Sequence, residues 1–174
     1  MKTNLKTIHQ AGLTLLEVLV SLGILATITT GIAASTNQQS EKTKASVVAL
    51  HVKMVGTAAA EYIKDNYSLL LTTAAATQPA LIRVSDIITA EKLQPGFNSR
   101  NTRGQETCVL VPKQGSNNLT SVVITEGGEL IDDLSLGQIA SEIGAAGGAI
   151  YSLAAGNMRG DMFHFLCRNI YIQP

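Results

Sequence analysis

Residues 13–35 read LTLLEVLVSLGILATITTGIAAS, and this run decides the fold. Its one charged residue is Glu17. Ahead of it, residues 1–12 read MKTNLKTIHQAG, with Lys2 and Lys6 and no acid. As a helix rising ~1.5 Å per residue, the run is about 35 Å long and spans a hydrocarbon core. Basic residues before the span favour a cytoplasmic N-terminus. A secretory signal peptide fits poorly. Its small-residue cleavage site follows the apolar stretch, whereas Ala11-Gly12 precedes it, and the run is too long for an h-region. A plain membrane anchor fits the length and flanks but leaves Glu17 unexplained. A carboxylate in apolar surroundings needs a cation or a proton, and at the centre of a span an acid costs about 2.5–3.5 kcal/mol on insertion scales. Glu17 sits near one end, where the cost is smaller, and while the chain is in the membrane it can reach the headgroups.

Gly12, then Leu13-Thr14-Leu15-Leu16-Glu17-Val18, then a long apolar helix, closely resembles the prepilin motif of type IV pilins and pseudopilins. The resemblance implies cleavage between Gly12 and Leu13 by a prepilin peptidase and N-methylation of Leu13. Glu17 then becomes the fifth residue of the mature chain. The resemblance also implies filament assembly with register set by Glu17. Its carboxylate pairs with the freed α-amine of a neighbouring subunit, and only one stagger satisfies both ions. The 12-residue leader and Leu13 at the cut resemble the class b pilins. Removing residues 1–12 takes away Lys2 and Lys6, so acids then outnumber bases by two.

Composition agrees with one ordinary domain behind this segment. The chain has 174 residues, 45% apolar and 15% charged, which argues against long disorder. Formal net charge is zero, so nucleic acid is not an expected partner. Two Cys and three His are too few and too scattered for a zinc module, and with no Trp there is no aromatic platform for sugars.

Beyond Ser35 no Pro or Gly interrupts residues 36–55, and Val48, Val52, Val55, Ala59 and Tyr62 recur at steps of four and three. The pattern predicts one helix over residues 13–66. Its first half is the membrane span or filament core, and its second half packs on a soluble head. Residues 67–107 read as irregular, with a loop ending at Pro79 and a short helix over residues 85–93. Three cations within residues 92–103 suggest either a subunit contact or ligand rim, or a solvated loop. Strands are expected at residues 108–112 and 119–125, joined by GSNN at 115–118, with a turn at 126–129 and a short strand at 129–131. Asp133 and Ser135 are candidate caps for a helix through Ala145, ended by the glycines of residues 144–148. Further strands are expected at residues 149–153, 162–166 and 170–172. The predicted fold is α+β: a long N-terminal helix packed on a small antiparallel sheet, the architecture the type IV pilin resemblance implies.

A second resemblance runs through residues 62–148. Tyr62-Ile-Lys-Asp-Asn66, Leu93-Gln-Pro-Gly-Phe97 with Asn101 and Gly104-Gln105, Val122-Val-Ile-Thr-Glu-Gly-Gly128 and Ile143-Gly-Ala-Ala-Gly-Gly148 follow one another in order. In order and spacing they are similar to the constant region of the PilV-type minor pilins of conjugative thin pili, encoded beside a DNA shufflon. In that family a larger, switchable C-terminal segment acts as tip adhesin and selects recipient cells. This sequence departs from the pattern at residues 158–174, MRGDMFHFLCRNIYIQP, which match nothing in it.

Little else carries chemistry. Cys108 and Cys167 are an even pair in a domain facing the periplasm, read either as a disulfide or as two buried thiols. The pilin resemblance favours a disulfide near the C-terminus. His9 lies in the leader, His51 beside the apolar stripe and His164 between two Phe; none has a partner at metal-ligand spacing. Asp132-Asp133 suits a helix start. Gly156-Asn-Met-Arg-Gly160 lacks the Lys-Ser/Thr of a phosphate loop, and no nucleophile–base arrangement is readable.

The expected organisation is a cleaved leader (1–12), a long helix (13–66) and a periplasmic or extracellular head (67–174). The expected function is structural, with no catalytic residue, metal or cofactor. The resemblance implies a pilus subunit processed by prepilin peptidase at the inner membrane and assembled with other pilin subunits. A PilV-like minor pilin at the tip would also meet the recipient-cell surface. Alternatives are a major class b pilin, a type II secretion pseudopilin, or a ligand-binding or enzymatic domain on an uncleaved anchor.

Overall fold

The computed structural model describes residues 14–75, 78–154, 157–160 and 164–166. Gly12, Leu13, Cys167 and the strand expected at residues 170–172 lie outside them. Helix α1 (Leu15–Asp65) opens at Thr14, where the Glu17 N–H donates to both Thr14 O (2.9 Å) and Thr14 Oγ1 (3.3 Å). This is the cap that a β-branched hydroxyl supplies to an orphan first-turn donor. At the far end Asn66 turns its side-chain Nδ2 back to Tyr62 O (2.9 Å), and the chain restarts as α2 (Tyr67–Thr73). The chain divides into two compact units, Met1–Ser40 and Glu41–Pro174.

In the second unit β1 (Ala80–Arg83) runs into the short helix α3 (Val84–Thr89). Strand β2 (Glu106–Val111) follows, then a hairpin of β3 (Lys113–Gln114) and β4 (Asn118–Leu119), then β5 (Val122–Glu126). The main sheet is antiparallel with order β1-β2-β5. Its register aligns Ile82, Val109 and Val123 on one face and Arg83, Cys108 and Ile124 on the other. The first face meets α1. Val55, Ala58 and Ala59 pack with Leu70, Ile82, Val84, Ile87, Val109 and Val111 into the main core. Each Val, Leu or Ile among them fully removed from water contributes about 1.5–3 kcal/mol. Ahead of that contact, Ala45, Val48 and Ala49 of α1 pack against Ile139 of α4 (Asp133–Ile143). Small side chains here let two helices approach closely. Asp132 caps α4 by accepting from the Ser135 N–H (3.2 Å). A third sheet, order β6-β7-β8, holds β6 (Gly148–Ile150), β7 (Asn157–Gly160) and β8 (His164–Leu166), with a 3-10 turn at Ser152–Ala154.

The α+β architecture of long helix and small antiparallel sheet is as the sequence predicts. Five local expectations are corrected. Tyr67–Thr73 is helical rather than irregular, because Leu70 drops into the core and organises the turn around it. Residues 80–83 are a strand, because Ile82 pairs with Val109 in the sheet, and the helix after them ends at Thr89 rather than Leu93. The stretch 119–125 breaks at Thr120-Ser121 into β4 and β5. No strand forms at residues 129–131, where the chain is held by the Glu129 N–H donating to Arg103 O (2.8 Å). Residues 151–153 leave the strand of 148–150 because Ser152 is captured by Asp133.

Candidate functional site

The N-terminal part of α1 is apolar on every side. Leu15 is 82% exposed, Leu16 72%, Leu19 60%, Leu22 57% and Leu25 57%. At 100° per residue these five cover one half of the helix, and Val20 and Ile24, each 55% exposed, carry the apolar surface on to the other side, so no single neighbour covers it. Its hydroxyls turn inward on its own backbone: Ser21 Oγ donates to Glu17 O (2.7 Å) and Thr27 Oγ1 to Ile24 O (2.8 Å). Polar atoms so satisfied are what a helix needs in surroundings that offer no hydrogen bonds. Glu17 sits exposed in the first turn, where the helix dipole favours an anion, and its carboxylate makes no ion pair among the described residues. Among the described residues no helix is long and apolar enough to cross a membrane, and within residues 13–35 the described side chains are 14–27 and 35.

Within the head, the three cations of residues 92–103 are each paired with a carboxylate: Arg100 stays 66% exposed on a largely solvated loop, whereas Arg103 is buried. Lys92 pairs with Asp65 (2.6 Å) and Arg100 with Glu106 (3.2 Å). The Arg103 side chain is only 4% exposed, paired with Glu41 of α1 and with Glu129 (3.3 Å). The loop that carries it is built around Asn101. The Asn101 Oδ1 accepts from the Arg103 N–H (2.9 Å) and the Gln105 N–H (3.1 Å), while its Nδ2 donates to Gln105 Oε1 (2.9 Å). The Gly127-Gly128 turn lies against this loop. A Cβ on Gly128 would stand 2.5 Å from Arg103 O and 2.6 Å from Gln105 N. Hydrogen bonds from Lys44 and Arg103 hold the Glu41 carboxyl below the usual carboxylate range. Burial works against the Arg103 charge, but Glu41 and Glu129 outweigh it and push its pKa up. Sequence reasoning missed this clasp; the signal was Arg103 between an Asn and a Gly in a turn-rich loop, with its acids distant in sequence.

His51 stacks on Phe97 with ring centroids 4.9 Å apart, and burial lowers its pKa. Cys108 is buried in β2 as a free thiol, its pKa pushed up to about 11 by burial, then by Glu126 and Glu106. That is the opposite of an activated nucleophile. Asp132 and Asp133 are held low by hydrogen bonds from Ser135 and Ser152 respectively; Asp132 is the N-cap of α4, in place of the expected Asp133 or Ser135, because its carboxylate accepts from the Ser135 N–H, while Asp133 fastens Ser152. Among the described residues no group of His, Cys, Asp and Glu could hold a metal ion.

A long helix with a prepilin-type start, followed by an α+β head, defines a type IV prepilin. Two family models match the chain: the prokaryotic N-terminal methylation motif at residues 8–33, and the bacterial shufflon protein, N-terminal constant region, at residues 38–163. The chain belongs to the shufflon protein family and is a type IV pilin subunit, a structural protein. The methylation motif implies processing by prepilin peptidase, membrane anchoring and then assembly into a pilus. No curated protein and no solved structure matches it.

Proposed function

We propose that this chain is a PilV-like minor pilin at the tip of a conjugative thin pilus, contributing to mating-pair formation and recipient recognition. The observation that carries the assembly step is the all-round apolar exposure of Leu15, Leu16, Leu19, Val20, Leu22, Ile24 and Leu25 around a single acid, Glu17. Such a helix is stable only among lipid tails or other apolar helices. Prepilin peptidase cuts between Gly12 and Leu13, and Leu13 is N-methylated. The new α-amine of one subunit pairs with Glu17 of the next, which fixes the stagger between helices. Residues 13–66 then serve as the assembly helix and residues 67–174 as the external head. The shufflon family match favours this placement over a secretion pseudopilus.

The test is a comparison of wild type with Glu17→Ala in pilus-producing cells. Intact mass should show both chains beginning at methylated Leu13, with only wild type in sheared pili. Equal incorporation of Glu17→Ala would refute the register role, and a mature N-terminus elsewhere would refute the cleavage site. For the tip role, a strain lacking this chain should keep its thin pili but lose liquid mating. Unchanged mating frequency would refute it.

A further inference from the structure

Three leucines of the head stand almost wholly in water: Leu130 is 96% exposed, Leu134 84% and Leu153 98%. Two of them are tied together. Asp133 accepts from both the Ser152 N–H (3.0 Å) and Ser152 Oγ (2.7 Å), which fastens the 3-10 turn bearing Leu153 to the first turn of α4 bearing Leu134. Leu130 stands just ahead of α4 and next to Glu129, whose N–H donates to Arg103 O (2.8 Å). Large apolar side chains on so well anchored a surface mark a contact. Asp132 and Asp133 lie between Leu130 and Leu134 in the sequence. Each accepts from a serine, and neither makes an ion pair among the described residues. The place therefore asks for an apolar occupant that brings a cation.

The third sheet delivers the chain to this place. Its register sets Leu166, the last residue of β8, opposite Asn157, the first residue of β7. The 3-10 turn bearing Leu153 lies in the connection between β6 and β7. β8 therefore ends at the same end of the sheet as that turn. Leu153 is four residues back from Asn157, at most about 14 Å, and one strand spacing of about 5 Å separates Asn157 from Leu166. Residues 167–174 read CRNIYIQP. Extended, these eight residues reach roughly 26 Å, more than enough to cross the leucines. Arg168, Ile170 and Ile172 recur at steps of two, so an extended chain puts one cation and two large apolar side chains on one face.

We infer that residues 168–174 lie extended across Leu130, Leu134 and Leu153 of the same chain, with Ile170 and Ile172 on the leucines and Arg168 against Asp132 and Asp133. The size of the surface favours this occupant. Three leucines fall well short of the ~1,000 Å² that a separate protein needs for a specific contact. A segment tethered a few residues away works at millimolar effective concentration, so a small apolar surface and one ion pair hold it. The contact is made within one subunit and needs no second copy. It clamps the 3-10 turn to α4 from outside, where the Asp133–Ser152 hydrogen bonds clamp it from below.

The test is hydroxyl-radical footprinting of the full chain in lipid nanodiscs, with the oxidation of each leucine read by peptide mass. Wild type is compared with Ile170→Asp/Ile172→Asp and with Arg168→Glu. Leu69 of α2, 59% exposed, serves as internal standard. In wild type Leu130, Leu134 and Leu153 should oxidise more slowly than Leu69. Their rates should rise roughly tenfold in the double variant and roughly threefold in Arg168→Glu, as a local contact opens, while Leu69 keeps its rate. Wild-type rates at the three leucines as fast as that of Leu69 would overturn the contact. Slow oxidation that neither variant relieves would assign the leucines to another occupant and overturn it as well.

Discussion

Gly127 and Gly128 are neighbours with nearly the same backbone, φ +70° and φ +65°, yet alanine should be tolerated very differently at each. At Gly127 a Cβ meets nothing within 4 Å. Gly127→Ala therefore suffers only the left-handed penalty of about 1–2 kcal/mol, offset in part by the stiffer unfolded chain, for a net loss of about 1 kcal/mol. At Gly128 the new Cβ would lie 2.5 Å from Arg103 O, 2.6 Å from Gln105 N and 2.7 Å from Gly104 C. All three are backbone atoms of a loop already fixed by Asn101, so no flexible side chain can yield. Overpacking of this kind adds about 1–3 kcal/mol, and moving the turn breaks the Glu129 N–H bond to Arg103 O, worth about 1 kcal/mol. Gly128→Ala should lose about 3–4 kcal/mol in all. At about 2–4 °C per kcal/mol for a chain of this size, Tm should fall by about 3 °C for Gly127→Ala and by about 10 °C for Gly128→Ala. The assay is head unfolding of the full chain in mild detergent, read by pulse proteolysis in urea and by thermal melting. Equal losses at the two positions would refute the close approach of the Gly127-Gly128 turn to the Arg103 loop.

Arg103→Met should destabilise the head by about 2 kcal/mol, less than a wholly buried pair because both carboxylate partners can rehydrate, and Arg103→Lys should recover part of it. Hydrogen exchange should rise first in the Arg103 loop and the adjacent turn of α1; unchanged exchange there would refute the clasp. Burial places the folded pKa of His51 below its ordinary 6.5, so the unfolded chain takes the proton first and stability falls as pH drops below about 6.5. His51→Phe should flatten the Tm profile between about pH 6.5 and 5, and an unchanged slope would show that His51 is not the group responsible. In the reduced chain Cys108, with its thiol pushed up to about 11, should label with a thiol reagent at neutral pH at least about 100-fold more slowly folded than unfolded. Comparable rates would contradict its burial in β2.

Long periodic signals were the legible ones. The stripe Val48, Val52, Val55, Ala59 and Tyr62 keeps one phase over four turns, and Val48, Val55 and Ala59 are indeed buried. The short apolar run at 108–112 reads as a strand, and β2 (Glu106–Val111) is that strand, buried on both faces. Two short elements were not legible, Tyr67–Thr73 and Ala80–Arg83. Tyr67–Thr73 is too short to be stable as an isolated helix and exists because Leu70 has a place in the core. Ala80–Arg83 is a strand only because β2 pairs with it, and residues 82–88 alone fit either period. The Glu41–Arg103–Glu129 clasp joins groups 62 residues apart and 26 residues apart in sequence, a long-range pairing no local pattern encodes.

The inward-turned hydroxyls of Ser21 and Thr27 bear on how such a subunit can change its surroundings. A polar side chain that relied on a lipid headgroup or a neighbouring helix would have to surrender that bond whenever the helix moved. Here the bonds travel with the helix, because each acceptor is a carbonyl of its own backbone. Exchange of lipid tails for the flanks of other helices is then nearly thermoneutral in hydrogen bonding. One carboxylate, Glu17, is left as the charged group through which extraction from one environment and capture by the other can be made directional.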